Sequence, residues 1–176
     1  MRKIVVYELL SLDGVAESPD QFFGWDDVLD DNLAAVIAGQ DAVLLGRRTY
    51  DVVRAQGEMP WKPGTRVFVV SRTLEPESRG SVTIVSGDPV AIASSLRRES
   101  GDGEIWLFGG GQLFAELLAG NQVDAVEVTI VPVLLGGGVP MLAPTSNRTT
   151  LALTHSHVYP SGMVALHYAV PGAAAV

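Results

Sequence analysis

Glu104-Ile105-Trp106-Leu107-Phe108-Gly109-Gly110-Gly111-Gln112-Leu113-Phe114 joins an apolar strand to a helix through three consecutive glycines. The residues that follow, Gln112-Leu113-Phe114-Ala115-Glu116-Leu117-Leu118, have helical spacing. Glycine allows close backbone approach and dihedrals closed to other residues. The helix behind it offers unpaired N–H groups and the positive end of a dipole, which suit a pyrophosphate. A tight turn needing positive φ would use the same glycines, so the motif alone does not choose between the two readings.

On either side of this stretch, strand-like runs bounded by turn residues lie at 4–10, 42–45, 66–71, 82–85, 104–108, 124–131, 150–159 and 163–170. Helical patterns lie between them at 26–38, 49–55, 90–99 and 112–119; the third starts with Asp88 as N-cap and Pro89 in the first turn. Strands alternating with helices predict an α/β fold with a mostly parallel sheet covered on both faces. The last two strands, joined by Tyr159-Pro160-Ser161-Gly162, predict an antiparallel hairpin. A single domain over residues 1–170 with a loose tail at 171–176 accounts for the chain.

Ligands of open α/β sheets bind beyond the carboxyl ends of the strands. Three motifs fall on that edge: Gly46-Arg47-Arg48-Thr49 after the second run, Ser71-Arg72 after the third, and glycines 109–111 after the fifth. Glycine, arginine and threonine at a helix start suit a phosphate, and Ser71 with Arg72 supplies a second anion site. Two anion sites on one edge fit a dinucleotide with an extra phosphate, NADPH better than NADH. The same arginines also suit a solvated surface, the usual place for arginine, and Arg48 fits it best.

Composition narrows the classes. The 176 residues, 47% hydrophobic and 18% charged, describe a globular chain that can bury a core. A net charge of −8 argues against a nucleic-acid surface or an anionic membrane as partner. The absence of cysteine removes disulfides, thiol nucleophiles and zinc–thiolate sites. Met1-Arg2-Lys3 precedes an apolar stretch, but Glu8 and Asp13 interrupt it and it is expected to be a core strand of a cytoplasmic protein. His155 and His157 share a strand face without a third ligand at suitable spacing, so a structural role is expected and no metal site.

A reductase needs a proton source near its hydride acceptor. With Leu29, Leu33, Val36 and Ile37 as the buried stripe of the first helix, Asp26 and Asp30 flank it and Asp31 points away. Asp30 is the candidate proton donor, half-buried with a raised pKa. A solvated flank carboxylate would show the same spacing, with Asp26 and Asp27 complementing the helix dipole.

Together the motifs resemble the dihydrofolate reductase superfamily, including the reductase domain of the bifunctional riboflavin-biosynthesis enzyme, over residues 4–170. The likeness rests on Ser11-Leu12-Asp13-Gly14, Leu45-Gly46-Arg47-Arg48-Thr49-Tyr50, Val70-Ser71-Arg72, Phe108-Gly109-Gly110-Gly111-Gln112-Leu113 and Pro132-Val133-Leu134-Leu135-Gly136-Gly137-Gly138-Val139-Pro140. The resemblance implies a three-layer α/β/α fold with an eight-stranded mixed sheet. It implies NADPH held by Gly46, Arg47, Thr49, Ser71, Arg72, Gly109, Gly110, Gly111, Gln112 and Leu113, with the nicotinamide near the first strand. It puts the substrate-anchoring acid at Asp30, with Asp31 the alternative, and Trp25 and Thr129 on the substrate side. A homodimer through the last strands is implied as well. Two departures stand out. Phe23-Gly24-Trp25-Asp26-Asp27 replaces the proline–tryptophan loop of true dihydrofolate reductases. Tyr50-Asp51-Val52-Val53-Arg54 lacks the stretch by which the riboflavin branch grips its ribityl phosphate. The expected activity is therefore NADPH-dependent reduction of a small heterocyclic (pterin- or aminopyrimidine-like) or carbonyl substrate. The alternative is a nucleotide-binding regulatory module of the same fold without turnover.

Overall fold

Strand β1 (Ile4–Ser11) is apolar on both sides because both are covered, and it lies in the middle of the sheet. A computed structural model describes residues 1–17, 37–57, 59–101 and 103–172. The expected first helix and the last four residues of the expected tail lie outside these, apart from the helical end at positions 37–39. The elements after β1 are β2 (Val15–Glu17), β3 (Gln40–Gly46), α1 (Arg47–Gln56), β4 (Arg66–Val70), β5 (Glu77–Arg79) and β6 (Val82–Val85). They continue with α2 (Pro89–Arg98), β7 (Glu104–Gly109), α3 (Gly111–Ala119), β8 (Ala125–Val131), β9 (Val139–Pro140), β10 (Ala152–Val158) and β11 (Val164–Ala169).

Nine strands form one sheet in the order β10-β11-β8-β1-β7-β3-β4-β6-β5, and β2 pairs with β9 separately. The six strands from β8 to β6 run parallel, while β11, β10 and β5 are antiparallel to their neighbours. The expected eight-stranded sheet is thus corrected to nine. The additional strand is β5, three exposed polar residues (Glu77-Ser78-Arg79) that hairpin onto β6 and carry no hydrophobic alternation.

Alternation along β1 divides the core. Ile4, Val6 and Leu10 pack with Ala93 and Leu96 of α2 and with Leu113, Phe114 and Leu117 of α3. Tyr7 on the other face joins Val43, Leu45, Val53 of α1, Trp61, Val67, Val69 and Trp106. Helices on both faces give the three layers. Each fully buried Leu, Ile or Val contributes roughly 1.5–3 kcal/mol. At the amino end of the strands, Arg97 donates to Gln122 O (2.8 Å) and Asp124 Oδ1 (2.9 Å), and Asp124 Oδ2 accepts from Ile4 N (2.8 Å). That network ties α2 to β8 and β1. Among the described residues no helix is long and apolar enough to cross a membrane.

Candidate functional site

Neighbouring strands β3 and β7 each end in glycine and pass directly into a helix, with Leu45 in register with Gly109. Gly109 (φ 127°) and Gly110 (φ 87°) occupy backbone conformations that favour glycine. A Cβ on Gly110 would lie 3.5 Å from Thr49 Oγ1 and 3.9 Å from Gly46 Cα, so the starts of α1 and α3 abut. Neither helix has a side-chain cap or an acidic residue in its first turn. By contrast α2, entering from the same edge, is capped by Asp88, which accepts from Val90 N and Ala91 N. Uncapped helices leave first-turn N–H donors for another partner, and two positive dipole ends side by side favour an anion.

Tertiary contact joins motifs that lie far apart in the chain. Asp13 accepts from Leu135 N (3.2 Å) and Gly136 N (2.8 Å), and Leu12 N donates to Val133 O (2.9 Å). Hydrogen bonds from the Ser11 hydroxyl and from the Gly136 and Leu135 N–H groups hold the Asp13 carboxyl down at about 2. The 11–14 turn and the 134–138 loop are therefore one unit, extended by the β2–β9 pair. Past β9 the chain crosses α3, where Ala143 N donates to Gly111 O (3.1 Å). A Cβ on Gly111 would meet Met141 O at 2.9 Å and Ala143 N at 3.0 Å, so this glycine is there for the crossing.

The expected second anion region, Ser71 with Arg72, is built as a turn. The Ser71 hydroxyl accepts from Thr73 N (3.2 Å) and Leu74 N (3.0 Å), and Ser71 is buried, so it shapes the loop that presents Arg72. Arg47 donates to Thr73 Oγ1 (2.5 Å) and lies 3.4 Å from Asp51, bridging the start of α1 to that loop. Arg48 and Arg72 are exposed. Gln112 is exposed and donates to Glu116 Oε1 (3.0 Å), while the Leu113 side chain is buried, which leaves the main chain of Leu113 for a ligand. Thr129 is buried on β8 in register with Leu9, on the face opposite Glu8. Asp30, Asp31 and Trp25 lie outside the described residues.

Reading the motifs alone misses Glu8. It interrupts β1 on the α3 face, between Val6 and Leu10, in register with Val128. Its Oε1 would lie 3.2 Å from a Cβ on Gly109, and burial pushes its carboxyl up to about 8. The signal is there in the sequence, as a carboxylate at an inward position of an otherwise apolar alternation.

The chain has the dihydrofolate reductase fold. Dihydrofolate reductase from Enterococcus faecalis, complexed with NADP(H) and RAB-propyl, superposes with TM-score 0.68 at 14% identity, over 96% of each chain. More narrowly, the chain belongs to the RibD C-terminal domain family, whose model matches residues 2–165. It is 29% identical over 172 residues to the uncharacterized protein YwjB of Bacillus subtilis (strain 168), covering 95% of this chain and 97% of YwjB. A "Putative riboflavin biosynthesis protein" from Shewanella sp. PV-4 aligns with TM-score 0.81 and 25% identity, covering 96% and 98% of the two chains.

Proposed function

We propose that the chain is an NADPH-dependent reductase of a small heterocyclic or carbonyl substrate. The observation that carries this is the pair of uncapped, glycine-initiated helices α1 and α3 meeting at the carboxyl edge, beside a capped α2 on the same edge. The residues fit the group. N–H donors at both helix starts receive the pyrophosphate, and glycines 109 and 110, at positive φ, make the tight turn that sets the two starts side by side. Arg47, bridged to Thr73, and the exposed Arg72 provide guanidinium groups for a 2′-phosphate. The bound cofactor supplies hydride. The chain's part is to orient the acceptor on the Thr129 side of β1, exclude water and deliver a proton, for which Asp30 is the candidate.

NADPH and NADH titrations followed by tryptophan fluorescence test the reading. NADPH is expected to bind at least tenfold more tightly than NADH, a preference of about 1.4 kcal/mol that Arg72→Ala diminishes. Asp30→Asn is expected to lower turnover on pterin and aminopyrimidine substrates while leaving NADPH affinity within about twofold. Absence of binding to either nucleotide overturns the cofactor reading. Binding without turnover across those substrates favours the regulatory module.

A further inference from the structure

Glu8 has no role in the chemistry proposed above, yet it lies beneath the glycine turn. Its Oε1 would be 3.2 Å from a Cβ on Gly109, and Thr49 Cγ2 would be 3.9 Å from the same point, so the carboxyl sits where β1, β7 and α1 meet. The residue keeps partial exposure, and its oxygens are not among the sealed, unpartnered polar atoms of the core. Burial favours its neutral, protonated form.

Among the described residues, the other charged groups nearby lie elsewhere. Glu127 of β8 is in register with Tyr7 and so faces the other side. Glu104 of β7 is at the opposite end of that strand and out of phase with Gly109. On α3, Glu116 accepts from Gln112. On α1, Arg47 is engaged with Asp51 and Thr73, Arg48 is exposed, and Thr49 is the residue turned to this corner. At the end of β1, Asp13 is bound by the 134–138 loop, and Glu17 of β2 lies beyond it.

We propose that Glu8 is the proton-linked partner of the anion site at the glycine turn: a pyrophosphate dinucleotide binds with the Glu8 carboxyl neutral, and binding draws a proton onto it. This rests on the cofactor reading above. An ionised carboxylate under a turn that receives phosphates repels them across a poorly solvated corner, whereas the neutral acid does not and has an O–H to donate. A carboxyl that burial has raised to about 8 is already mostly protonated at neutral pH and ionises in the free protein as the pH passes 8. By linkage, the free protein must take up a proton to bind once the pH reaches that range.

The test is calorimetric and fluorescence titration of the full chain with NADPH between pH 7 and 9, where the 2′-phosphate is already fully ionised. Affinity of the wild-type chain is expected to fall roughly tenfold from pH 7 to pH 9. Calorimetry at pH 8 in two buffers of different ionisation enthalpy is expected to show uptake of about half a proton per NADPH. Glu8→Gln is expected to bind with no proton uptake, its affinity at pH 9 within about twofold of that at pH 7. Glu8→Met, similar in length and without a titrating group, takes its place if the glutamine variant does not fold. A flat wild-type profile without proton uptake overturns the proposal, as does a variant that keeps the wild-type slope. Failure of the cofactor reading looks different, as no NADPH binding at any pH in wild type or variant.

Discussion

A carboxyl group on a central strand opposes folding wherever the unfolded chain ionises it and the folded chain does not. Glu8 is that group, raised from 4.5 to about 8 by burial. Below pH 4.5 it is protonated in both states and imposes no penalty. Between 4.5 and 8 the folded state holds a proton that the unfolded state has released, so stability falls with rising pH. Above 8 the deficit is complete, of order 5 kcal/mol at most. Glu8→Gln keeps the shape and removes the ionisation. Its unfolding temperature should match wild type near pH 4 and exceed it by roughly 10 °C at pH 9. Circular dichroism melts at pH 4, 7 and 9 check this, and a constant difference across the series would refute it. A strand position that imposes such a penalty is one where function outweighs packing. Asp13 has the opposite sign: held at about 2 from 3.8 in exposed surroundings, it favours the folded loop above 3.8 and releases it only as pH falls toward 2.

Two glycines at helix starts do different work, and an added methyl group separates them. Gly111 opens α3 with no positive φ, so alanine there would gain up to about 1 kcal/mol in helix propensity. The methyl group, however, would press on the main chain at Met141 O (2.9 Å), Ala143 N (3.0 Å) and Pro140 O (3.2 Å). Backbone cannot swing aside as a side-chain end can, and overpacking costs about 1–3 kcal/mol, so the clash outweighs the propensity. Gly111→Ala should lower the urea midpoint. Gly46, at φ −80° with none of the described residues within 4 Å of where a methyl group would stand, should tolerate alanine within about 0.5 kcal/mol. Gly46 abuts Gly110 at the start of α3, where the pyrophosphate is proposed to lie. Gly46→Ala should therefore weaken NADPH roughly tenfold with its stability unchanged. Urea unfolding beside NADPH titration reads both. Equal stability losses in the two variants would contradict this division.

Long elements were legible because their signals are local. The runs at 82–85 and 104–108 correspond to Val82–Val85 and Glu104–Gly109, and the Asp88-Pro89 start of α2 stands as read. The short strands β2, β5 and β9 have at most three residues and no period to detect. Pairing of β2 with β9, and the clamp of Asp13 on Leu135 and Gly136, exist only through contacts more than a hundred residues apart in the chain. The strand ends that carry the proposed cofactor edge were legible because their signals are local, whereas the depth of Glu8 depends on what folds over it. The same contrast separates the two edges of the large sheet. At one end, β5 is three polar residues, a blunted edge that resists further pairing. At the other, β10 runs seven residues with every side chain exposed, including Leu153 at 56% and Val158 at 69%. A strand of that length with apolar residues open to water invites a partner, and a second copy of the chain provides an identical edge by two-fold symmetry. We therefore expect a homodimer through β10, with twice the chain mass in light scattering. Introducing Leu153→Asp with Val158→Asp should halve that mass. Because β10 lies four strands from β7, NADPH affinity should hold within about twofold. A monomeric wild type, or a dimer indifferent to both substitutions, would place the interface elsewhere or remove it.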